Sequence, residues 1–535
     1  MPDHKQKLLD LLCENNSADT STSLAALFRN DPDRFRKFSV QSEQMLYDFS
    51  RTSIDRSALS ELLELAQNSE LQSWRNRLFS GEPVNVSENC PAHHPLLRES
   101  QPESSKTGVE IGEQVSAQRR ALLSLGMSLY NGKMPGYHYP IKDVIHLGMG
   151  GSILGPQLVV EALQAEAHSQ VRVHFLSSAD GWELNALMQE LEAQHTLVIA
   201  ASKSFATAEI KLNLDCLKDW LQSAGSAVNP YAQMLAITAR VDRASQAGFL
   251  EQNTLEIPAS VGGRFSLWSS MGLPIVIRYG QQAYQQLLAG AESMDRHFQT
   301  ATAEKNLPVM AALVTIWQRN VRNYPAVAVV PYDSRLRKLP AWLQQLDMES
   351  AGKSVDCHGQ PLSQPAAPVV FGGTGTDSQH AFFQALYQGM ETVPVEFIGV
   401  LNFHPDGNGA CKHSRFQLIN LLAQADALAF ADKLEPEIQA ASNCAHTEFA
   451  GNRPGTVMLL DSLTPQSLGE LLAFYEHRIY TLSAIWGNNP FDQFGVEYGK
   501  RLAVKLGSLF DQASTAETGS AQSLQQWVLA RLKNS

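Results

Sequence analysis

The chain has 535 residues, of which 44% are hydrophobic and 18% charged, and its formal net charge is −12. A chain of this length is expected to hold about two to four domains. No apolar run approaches the roughly 18 to 20 residues that a membrane-spanning helix requires, so a soluble globular protein is expected. Nucleic acid is disfavoured as the main partner, because the chain is acidic and has no block of lysine and arginine residues.

The amino terminus and the cysteines indicate a cytoplasmic protein. Met1 to Lys7 lead into a short amphipathic segment without the apolar stretch and small-residue cleavage site of a signal peptide. The cysteines show no CxxC pair and no spacing typical of metal ligands, which suits reduced thiols. They are Cys13, Cys90, Cys216, Cys357, Cys411 and Cys444. We therefore predict a cytoplasmic location, with neither a disulfide nor a zinc site.

Residues 1–110 are predicted to form a polar, helical region. Candidate helices run from Leu8 to Glu14 and from Ser57 to Ala66. His93 and His94 resemble a metal-binding pair, but adjacent residues point in different directions and a proline follows them. A surface loop is therefore the predicted setting of these two histidines.

From about residue 140 the pattern changes to short apolar runs that alternate with longer amphipathic stretches. Buried strands are predicted at Val144–Leu147, Val171–Leu176, Leu197–Ala200, Met234–Ile237, Ala326–Val330, Val369–Phe371 and Val395–Val400. This alternation is typical of an α/β fold with doubly wound parallel sheets. We predict two such units, at 111–290 and 291–510, followed by a helical tail at 511–535. Ligands of such sheets bind beyond the carboxyl ends of the strands, so the loops at those ends are the candidate sites.

The loop Val261–Gly272 sets an arginine directly after two glycines. Gly262 and Gly263 let backbone approach closely, and Arg264 offers a fixed fork of donors that suits an oxyanion. The alternative is a tight turn in which the arginine makes a structural ion pair with a carboxylate. Both interpretations fit this segment on its own.

A glycine-rich turn, Gly148–Pro156, follows the first predicted strand and could hold an anion or a polyol. It is not a dinucleotide fingerprint, because Ile153 stands where the third glycine of G-x-G-x-x-G belongs. Gly352-Lys353-Ser354 fails as the end of a P-loop, because Asp347 occupies the position of the leading glycine. A nucleotide is therefore not indicated.

The loop Ser202–Thr207 follows the third predicted strand and supplies three hydroxyl groups and one ammonium at a predicted helix start. Helix N-termini attract phosphate through free N–H groups and the positive end of the helix dipole. A monophosphate is the anion that fits best. The alternative, N-capping by Ser202 or Ser204, needs only one hydroxyl.

Three further residues could take part in acid–base chemistry, and each has a structural alternative. Glu349 ends a predicted helix, where a carboxylate is unfavourable against the dipole, and such a placement indicates a functional role. The alternative is a surface pair with Lys353. His380 begins a helix after a predicted strand and could exchange protons near neutral pH, or it is a core histidine bonded to a carbonyl. Lys500 ends the run Phe491–Lys500 and either faces the cleft expected between these loops or is solvated.

Taken together, these segments resemble the phosphoglucose isomerase family over about residues 85–510. The resemblance implies two sugar isomerase domains and a homodimer whose active site is shared, with the histidine contributed by the neighbouring subunit. The implied reaction is the interconversion of glucose 6-phosphate and fructose 6-phosphate, in glycolysis and gluconeogenesis. It implies neither a metal nor an organic cofactor.

The resemblance also implies a role for each matching residue. Glu349 matches the family's catalytic base, His380 the acid/base that opens the sugar ring, and Arg264 the group that stabilises the intermediate. Lys500 matches a partner in ring opening. The implied phosphate ligands are Ser202, Lys203, Ser204 and Thr207, and the implied further substrate contacts are Gly151, Ser152, Gln345 and Gln493.

Several positions depart from the family's pattern. Ile153 replaces the usual aspartate, Ala351 a frequent asparagine and Tyr387 a common histidine. Phe494 stands where tryptophan is usual. None of these departures removes an implied catalytic group, so they bear on substrate affinity and loop rigidity more than on the type of reaction.

The implied roles agree with the chemistry of the reaction. Moving a carbonyl between C1 and C2 requires a base that takes a carbon-bound proton and a cation that stabilises the resulting enediolate. Two alternatives stay open: a non-catalytic sugar-phosphate sensor built on the same domain, and an isomerase that also accepts mannose 6-phosphate. Retention of Glu349, His380, Arg264 and Lys500 speaks against the sensor.

Overall fold

The computed structural model describes residues 2–17, 23–223, 229–402, 410–430, 449, 451–512 and 523–532. The chain divides into two compact units, Met1–Pro490 and Phe491–Ser535. The strands described in the first unit are β1 (Ser39–Gln41), β2 (Met45–Asp48), β3 (Asp143–Gly148), β4 (Arg172–Leu176), β5 (Thr196–Ala201), β6 (Met234–Thr238), β7 (Thr254–Glu256), β8 (Ala326–Pro331), β9 (Val369–Gly372), β10 (Val395–Asn402) and β11 (Gly455–Ser462).

Helices connect the strands and cover the sheets. Those described in the first unit are Pro2–Ser17, Leu24–Asn30, Arg34–Lys37, Arg56–Asn68, Leu71–Ser80, Val109–Tyr130, Leu154–Ala162, Gly181–Glu190, Ala208–Ser223, Val241–Gln246, Leu273–Thr300, Leu307–Ile316, Leu339–Leu343, Gly375–Gln379, Phe383–Gln388, Ala410–Phe430 and Pro465–Trp486. The second unit holds the helices Phe494–Gln512 and Leu524–Leu532. Among the described helices, none combines the length and apolar character that crossing a membrane would need.

The first sheet is parallel throughout and has the strand order β4-β3-β5-β6-β7. From β3 the chain moves to β4 on one side and then to β5 on the other, so the direction of winding reverses beside β3. Ligands of doubly wound sheets bind outside the carboxyl ends of the strands at such a point. The turn after β3 and the loop after β5 are the predicted sites Gly148–Pro156 and Ser202–Thr207, and both lie at this edge.

The second sheet has the strand order β1-β2-β11-β10-β8-β9. Its four later strands are parallel and repeat the reversal, because β9 and β10 lie on opposite sides of β8. Strands β1 and β2 add an antiparallel edge, in which β2 pairs with β11. The predicted fold class, α/β with two doubly wound sheets, is therefore confirmed.

The helix Pro465–Trp486 lies in the centre of the first unit and is buried along its whole length except at Gln466. It packs against the long helix Leu273–Thr300. A buried arginine, Arg98, ties the two helices together by donating from Nε to Asp295 at 2.6 Å and from Nη1 to Glu476 at 2.5 Å. This contact fixes the two helices against each other.

The seven predicted strands are confirmed as β3, β4, β5, β6, β8, β9 and β10. The predicted helices at 8–14 and 57–66 lie inside observed helices. Strands β1, β2, β7 and β11 were not predicted. In β11 the apolar run precedes a long apolar helix, and an apolar run alone does not distinguish a strand from a buried helix. Strands β1, β2 and β7 are only three or four residues long, too short to show a clear alternation.

The prediction that His93 and His94 occupy a surface loop is wrong. The two residues are only 9% and 2% exposed. Nδ1 of His93 lies 2.9 Å from the Ser260 hydroxyl, and the His94 ring packs on Phe265 at a centroid distance of 4.7 Å. Burial lowers the pKa of both histidines. Both therefore pack as neutral rings against the loop that carries Arg264.

Replacing His146 with glutamine should make the fold less sensitive to mild acid. His146 is fully buried in β3, where its Nε2 lies 2.9 Å from the carbonyl oxygen of Ser152, and burial lowers its pKa from 6.5 to about 4. The unfolded chain therefore binds more protons at this residue than the folded chain as the pH falls below 6.5. From this group alone, the wild type should lose about 2 kcal/mol of unfolding free energy between about pH 7 and pH 5.

Glutamine keeps a side-chain donor but does not titrate, so His146→Gln should show a smaller fall. Denaturation midpoints at the two pH values measure the effect. His138→Gln, at an exposed histidine, is the control and should keep the wild-type pH dependence. An undiminished loss of stability in His146→Gln would contradict the assignment.

Candidate active site

Arg264 is a buried cation that contacts polar groups from segments remote in sequence. It lies in the tight turn Gly263–Trp268 and is 3% exposed. Its Nε donates to the Ser350 hydroxyl at 2.7 Å, and Nη2 donates to the carbonyl of Pro490. Nη1 lies 3.6 Å from Oε2 of Glu349. The two interpretations of this arginine thus converge, because the carboxylate beside it is the one predicted to be a base.

The loop of Arg264 meets the turn after β3 backbone to backbone. A Cβ atom on Gly151 would lie 2.0 Å from the carbonyl carbon of Gly263, closer than any side chain allows. The Ser266 hydroxyl also lies 3.3 Å from the Gly151 carbonyl oxygen. Gly151 is therefore needed for the approach of two chain segments, and its predicted contact to substrate stays a prediction.

Two more of the predicted contacts border this turn. Ser152 is 7% exposed, and its carbonyl accepts a hydrogen bond from the buried His146 ring. Gln345 extends its amide nitrogen to the turn at Gly150, where it would lie 2.8 Å from an added Cβ. The amide oxygen of Gln345 is buried and makes no hydrogen bond with any described residue. Gln345 therefore keeps an acceptor available beside the turn.

Glu349 ends a π-helical turn, Gln344–Glu349, rather than a regular α-helix. Such turns are rare and often occur at functional sites. The side chain is 21% exposed, and Oε2 is buried without a hydrogen bond to any described residue. Two residues earlier, Asp347 is bound by Arg478, which also binds Glu396 on β10. Arg478 thus connects the turn to strand β10, while Oε2 of Glu349 stays available.

Lys353 does not form the surface pair with the Glu349 carboxylate that was the alternative prediction. Its ammonium donates to three main-chain carbonyls, those of Glu349 at 3.0 Å, Ser350 at 2.9 Å and Asn489 at 3.1 Å. These contacts close the end of the helical segment that carries Glu349. Sequence reasoning missed this role, because i,i+4 spacing suggests a side-chain pair and does not reveal the distant Asn489.

The predicted phosphate loop has a compact geometry of its own. The Ser202 hydroxyl is buried, accepts from the Phe205 N–H at 3.1 Å and lies 3.4 Å from the Thr207 hydroxyl. Phe205 has a positive φ of 47°, which turns the loop sharply. Ser204 is exposed. The helix begins only at Ala208, so Ser202 orders the loop itself.

Lys203 brings a second cation close to Arg264. Burial lowers its pKa most, and Arg264 lowers it further, whereas Glu88 and Cys90 raise it. Two positive groups near enough to repel each other favour an anion placed beside them. Glu88 was not predicted as part of this site, since its segment matched no motif.

His380 is exposed and follows the short helix Gly375–Gln379 after β9. Its backbone N–H donates to the carbonyl of Asp377 at 3.1 Å. The alternative of a core histidine is therefore wrong. No described contact within the chain joins His380 to Glu349, and its catalytic role stays a prediction.

Gln493 and Lys500 belong to the second unit. The carbonyl of Gln493 accepts from the Val496 N–H at 3.3 Å at the start of the helix Phe494–Gln512. Lys500 is exposed, with its ammonium 2.7 Å from Oε1 of Glu497. Within its own unit Lys500 thus has the surroundings of a solvated lysine.

The assembled groups can perform proton transfer beside a fixed cation. A partly buried carboxylate suits proton abstraction, a buried guanidinium suits a developing oxyanion, and the loop with Lys203 suits a fixed anion. Across the described part of the chain, no set of three or more His, Cys, Asp and Glu side chains is grouped to hold a metal ion. The arrangement therefore favours acid–base chemistry on a small anionic substrate.

Comparison with known proteins gives one consistent result. The family model "Phosphoglucose isomerase" matches residues 48–525. Glucose-6-phosphate isomerase of Ruegeria pomeroyi is 40% identical over 519 residues, which cover 94% of this chain and 95% of that protein. The enzyme of Pseudomonas fluorescens is 37% identical over 526 residues, covering 96% and 94%. The crystal structure of a glucose-6-phosphate isomerase from Chlamydia trachomatis has a TM-score of 0.82 at 28% identity, covering 99% and 98% of the two chains.

Gly151→Ala should destabilise the fold by roughly 1 to 3 kcal/mol or more, the usual cost of overpacking. The added methyl group would meet the backbone of Gly263, which cannot rotate away as a side chain can. Urea denaturation of the purified variant measures the change. Gly263→Ala is the matched control from the same contact, because its Cβ would find its nearest atom at 3.9 Å. Equal stability of the two variants would contradict the close approach.

Proposed function

The chain belongs to the phosphoglucose isomerase family and catalyses the reversible isomerisation of glucose 6-phosphate and fructose 6-phosphate in glycolysis and gluconeogenesis, and on this premise we propose that Glu349 is the catalytic base and Arg264 its electrostatic partner. The observation that carries the proposal is the 3.6 Å separation of Oε2 of Glu349 from the buried guanidinium. Because the chain is an isomerase, the alternative of a non-catalytic sugar-phosphate sensor is rejected.

In the proposed mechanism Glu349 takes the proton from C2 of the open-chain aldose and returns it to C1. The pair of electrons left by the proton spreads onto the carbonyl oxygen, which gives an enediolate. The C2 hydroxyl passes its proton to the C1 oxygen, so that the C2 oxygen becomes the ketose carbonyl when C1 takes up the proton from Glu349. Arg264 offsets this negative charge, and because its guanidinium is already fixed by Ser350 and Pro490 it needs no reorganisation as the charge develops. The reverse transfer forms the aldose from the ketose.

We propose that the phosphate group binds at the loop after β5. Lys203 supports this assignment, since its ammonium is partly buried and lies within electrostatic reach of Arg264. The phosphate does not react, so its binding energy serves to position the sugar. The proposed phosphate ligands are Ser202, Lys203, Ser204 and Thr207, and the proposed contacts to the rest of the sugar are Gly151, Ser152, Gln345 and Gln493.

Ring opening requires a second acid/base, because hexose phosphates rest as closed rings. We propose His380 for this role, assisted by Lys500. The support from His380 is its exposure, which leaves its ring nitrogens accessible to a group outside its own chain. No step of the proposed mechanism requires a metal ion or an organic cofactor.

A homodimer is proposed as the working form, with His380 contributed to the partner's site. The helix Ala410–Phe430 exposes Phe416, Ile419 and Leu422, which are 60%, 53% and 47% exposed. This helix packs against Gly375–Gln379, the helix that leads to His380. An exposed apolar surface beside an exposed catalytic candidate is what a shared active site requires. We further propose sugar isomerase domains at 111–290 and 291–510 and a cytoplasmic location.

Glu349→Gln should lower kcat by roughly 100- to 10,000-fold, the range that a general base contributes, while KM stays within a few fold. Glutamine keeps the size of the side chain but cannot accept the carbon-bound proton. A coupled assay of glucose 6-phosphate formation from fructose 6-phosphate gives both constants. Glu304→Gln, at an exposed glutamate, controls for the loss of one negative charge. Near-normal turnover of Glu349→Gln would remove the base assignment.

Mixing two inactive variants tests the shared site. If Glu349 of one subunit works with His380 of the other, a heterodimer of Glu349→Gln and His380→Ala contains one site with both native residues. A statistical mixture should recover about a quarter of the wild-type activity after subunit exchange. The separate variants carried through the same exchange are the controls. Heterodimers that form without regaining activity would show that each site is built from one chain.

A further inference from the structure

The clamp formed by Lys353 and Arg264 holds the two segments 349–350 and 489–490 together. Lys353 donates to the carbonyls of Glu349, Ser350 and Asn489 at 2.9 to 3.1 Å. Arg264 donates to the Ser350 hydroxyl at 2.7 Å and to the Pro490 carbonyl. Each cation thus bridges the same two stretches of chain at adjacent residues.

The far side of this clamp is itself anchored. The side-chain amide of Asn489 donates to Oδ1 of Asn85 at 2.9 Å and to the hydroxyl of Ser87 at 2.8 Å. Asn489 is 5% exposed, and its bond to Asn85 is buried. A cation that binds the Asn489 carbonyl is therefore connected through Asn489 to the turn that holds Asn85 and Ser87.

The position of Lys353 answers an electrostatic difficulty at the end of the helical segment. The last carbonyls of a helix lack partners within it and carry the negative end of the dipole. Glu349 adds a carboxylate at this end. The ammonium of Lys353 satisfies two of the carbonyls and places a positive charge beneath the carboxylate without binding it. The carboxylate oxygens of Glu349 therefore stay available for a proton.

Gly352 makes this arrangement possible. The Gly352 N–H donates to the Met348 carbonyl at 2.9 Å, an i→i−4 bond at the end of the helical segment. A Cβ atom on Gly352 would lie 2.2 Å from that oxygen. The missing side chain at Gly352 therefore permits the tight end of the segment directly before Lys353, which caps it.

We propose that Lys353 is a positioning residue for the catalytic base: it caps the carbonyls of the segment that ends at Glu349 and locks that segment to Asn489, which fixes the direction of the carboxylate. The inference rests on the proposed role of Glu349. Lys353 does not touch the reacting atoms, so its removal should slow proton abstraction and leave phosphate binding intact.

Lys353→Met tests this role, since methionine keeps an unbranched side chain without the charge or the donors. The expected result is a roughly 10- to 100-fold fall in kcat, the scale of a small misplacement of a catalytic group, with KM within about twofold of wild type. With glucose 6-phosphate deuterated at C2 as the substrate, the primary isotope effect on kcat should rise, because proton abstraction becomes slower than the other steps. Lys218→Met, on the surface of the helix Ala208–Ser223, is the matched control.

Lys353→Arg covers the case in which the methionine variant does not fold. Its planar guanidinium keeps the charge but cannot place one nitrogen against three carbonyls, so a folded enzyme with an intermediate kcat and a raised isotope effect is expected. Wild-type kcat in a folded variant at position 353, or an increase in KM alone, would overturn the proposal.

The double variant Glu349→Gln/Lys353→Met separates this inference from the assignment of the base. If Lys353 acts through Glu349, the double variant should have the kcat of Glu349→Gln alone. A further loss would show that Lys353 acts independently and would overturn the positioning role. High activity of Glu349→Gln would instead remove the base assignment, whatever the behaviour of Lys353.

Discussion

The buried charge of Arg264 constrains the rest of the site. A guanidinium removed from water is costly unless its donors are occupied, and an unpaired partner would cost several kcal/mol. Arg264 donates to the Ser350 hydroxyl and the Pro490 carbonyl, and the Glu349 carboxylate lies 3.6 Å away. The segments that supply them must therefore lie where the arginine can reach. The same requirement that stabilises the fold also sets the base beside a cation.

The two sheets bring these segments together at the carboxyl ends of their strands. Each sheet reverses its winding beside its first parallel strand, β3 in one and β8 in the other. The loops after β3 and β5 carry the turn at Gly151 and the phosphate loop, and the helical segment after β8 carries Glu349. Where the turn meets the loop of Arg264, the absence of a side chain at Gly151 permits contact between backbones. The sheet topology thus places these loops near each other, and the glycine at 151 lets their backbones touch.

Local patterns predicted the interiors of the sheets well, because central parallel strands are continuous apolar runs bounded by turns. They failed where stability comes from distant contacts. The short strand β2 depends on pairing with β11, more than 400 residues away in the chain, and β1 in turn pairs with β2. His93 and His94 are polar residues that the tertiary structure buries against Phe265 and Ser260. Neither outcome leaves a signal in a window of ten or twenty residues.

The sequence by itself determined which chemical groups are present and in which order their loops follow the strands. It supplied a carboxylate at Glu349, a guanidinium at Arg264 and a loop of hydroxyls with Lys203, and these sufficed to indicate the family. Only the tertiary structure decided which groups meet. Arg264 and Ser350 are 86 residues apart, and Lys353 and Asn489 are 136 apart. Such contacts follow from the packing of whole sheets and helices, whereas periodicity and spacing report only on neighbours within a few turns of chain.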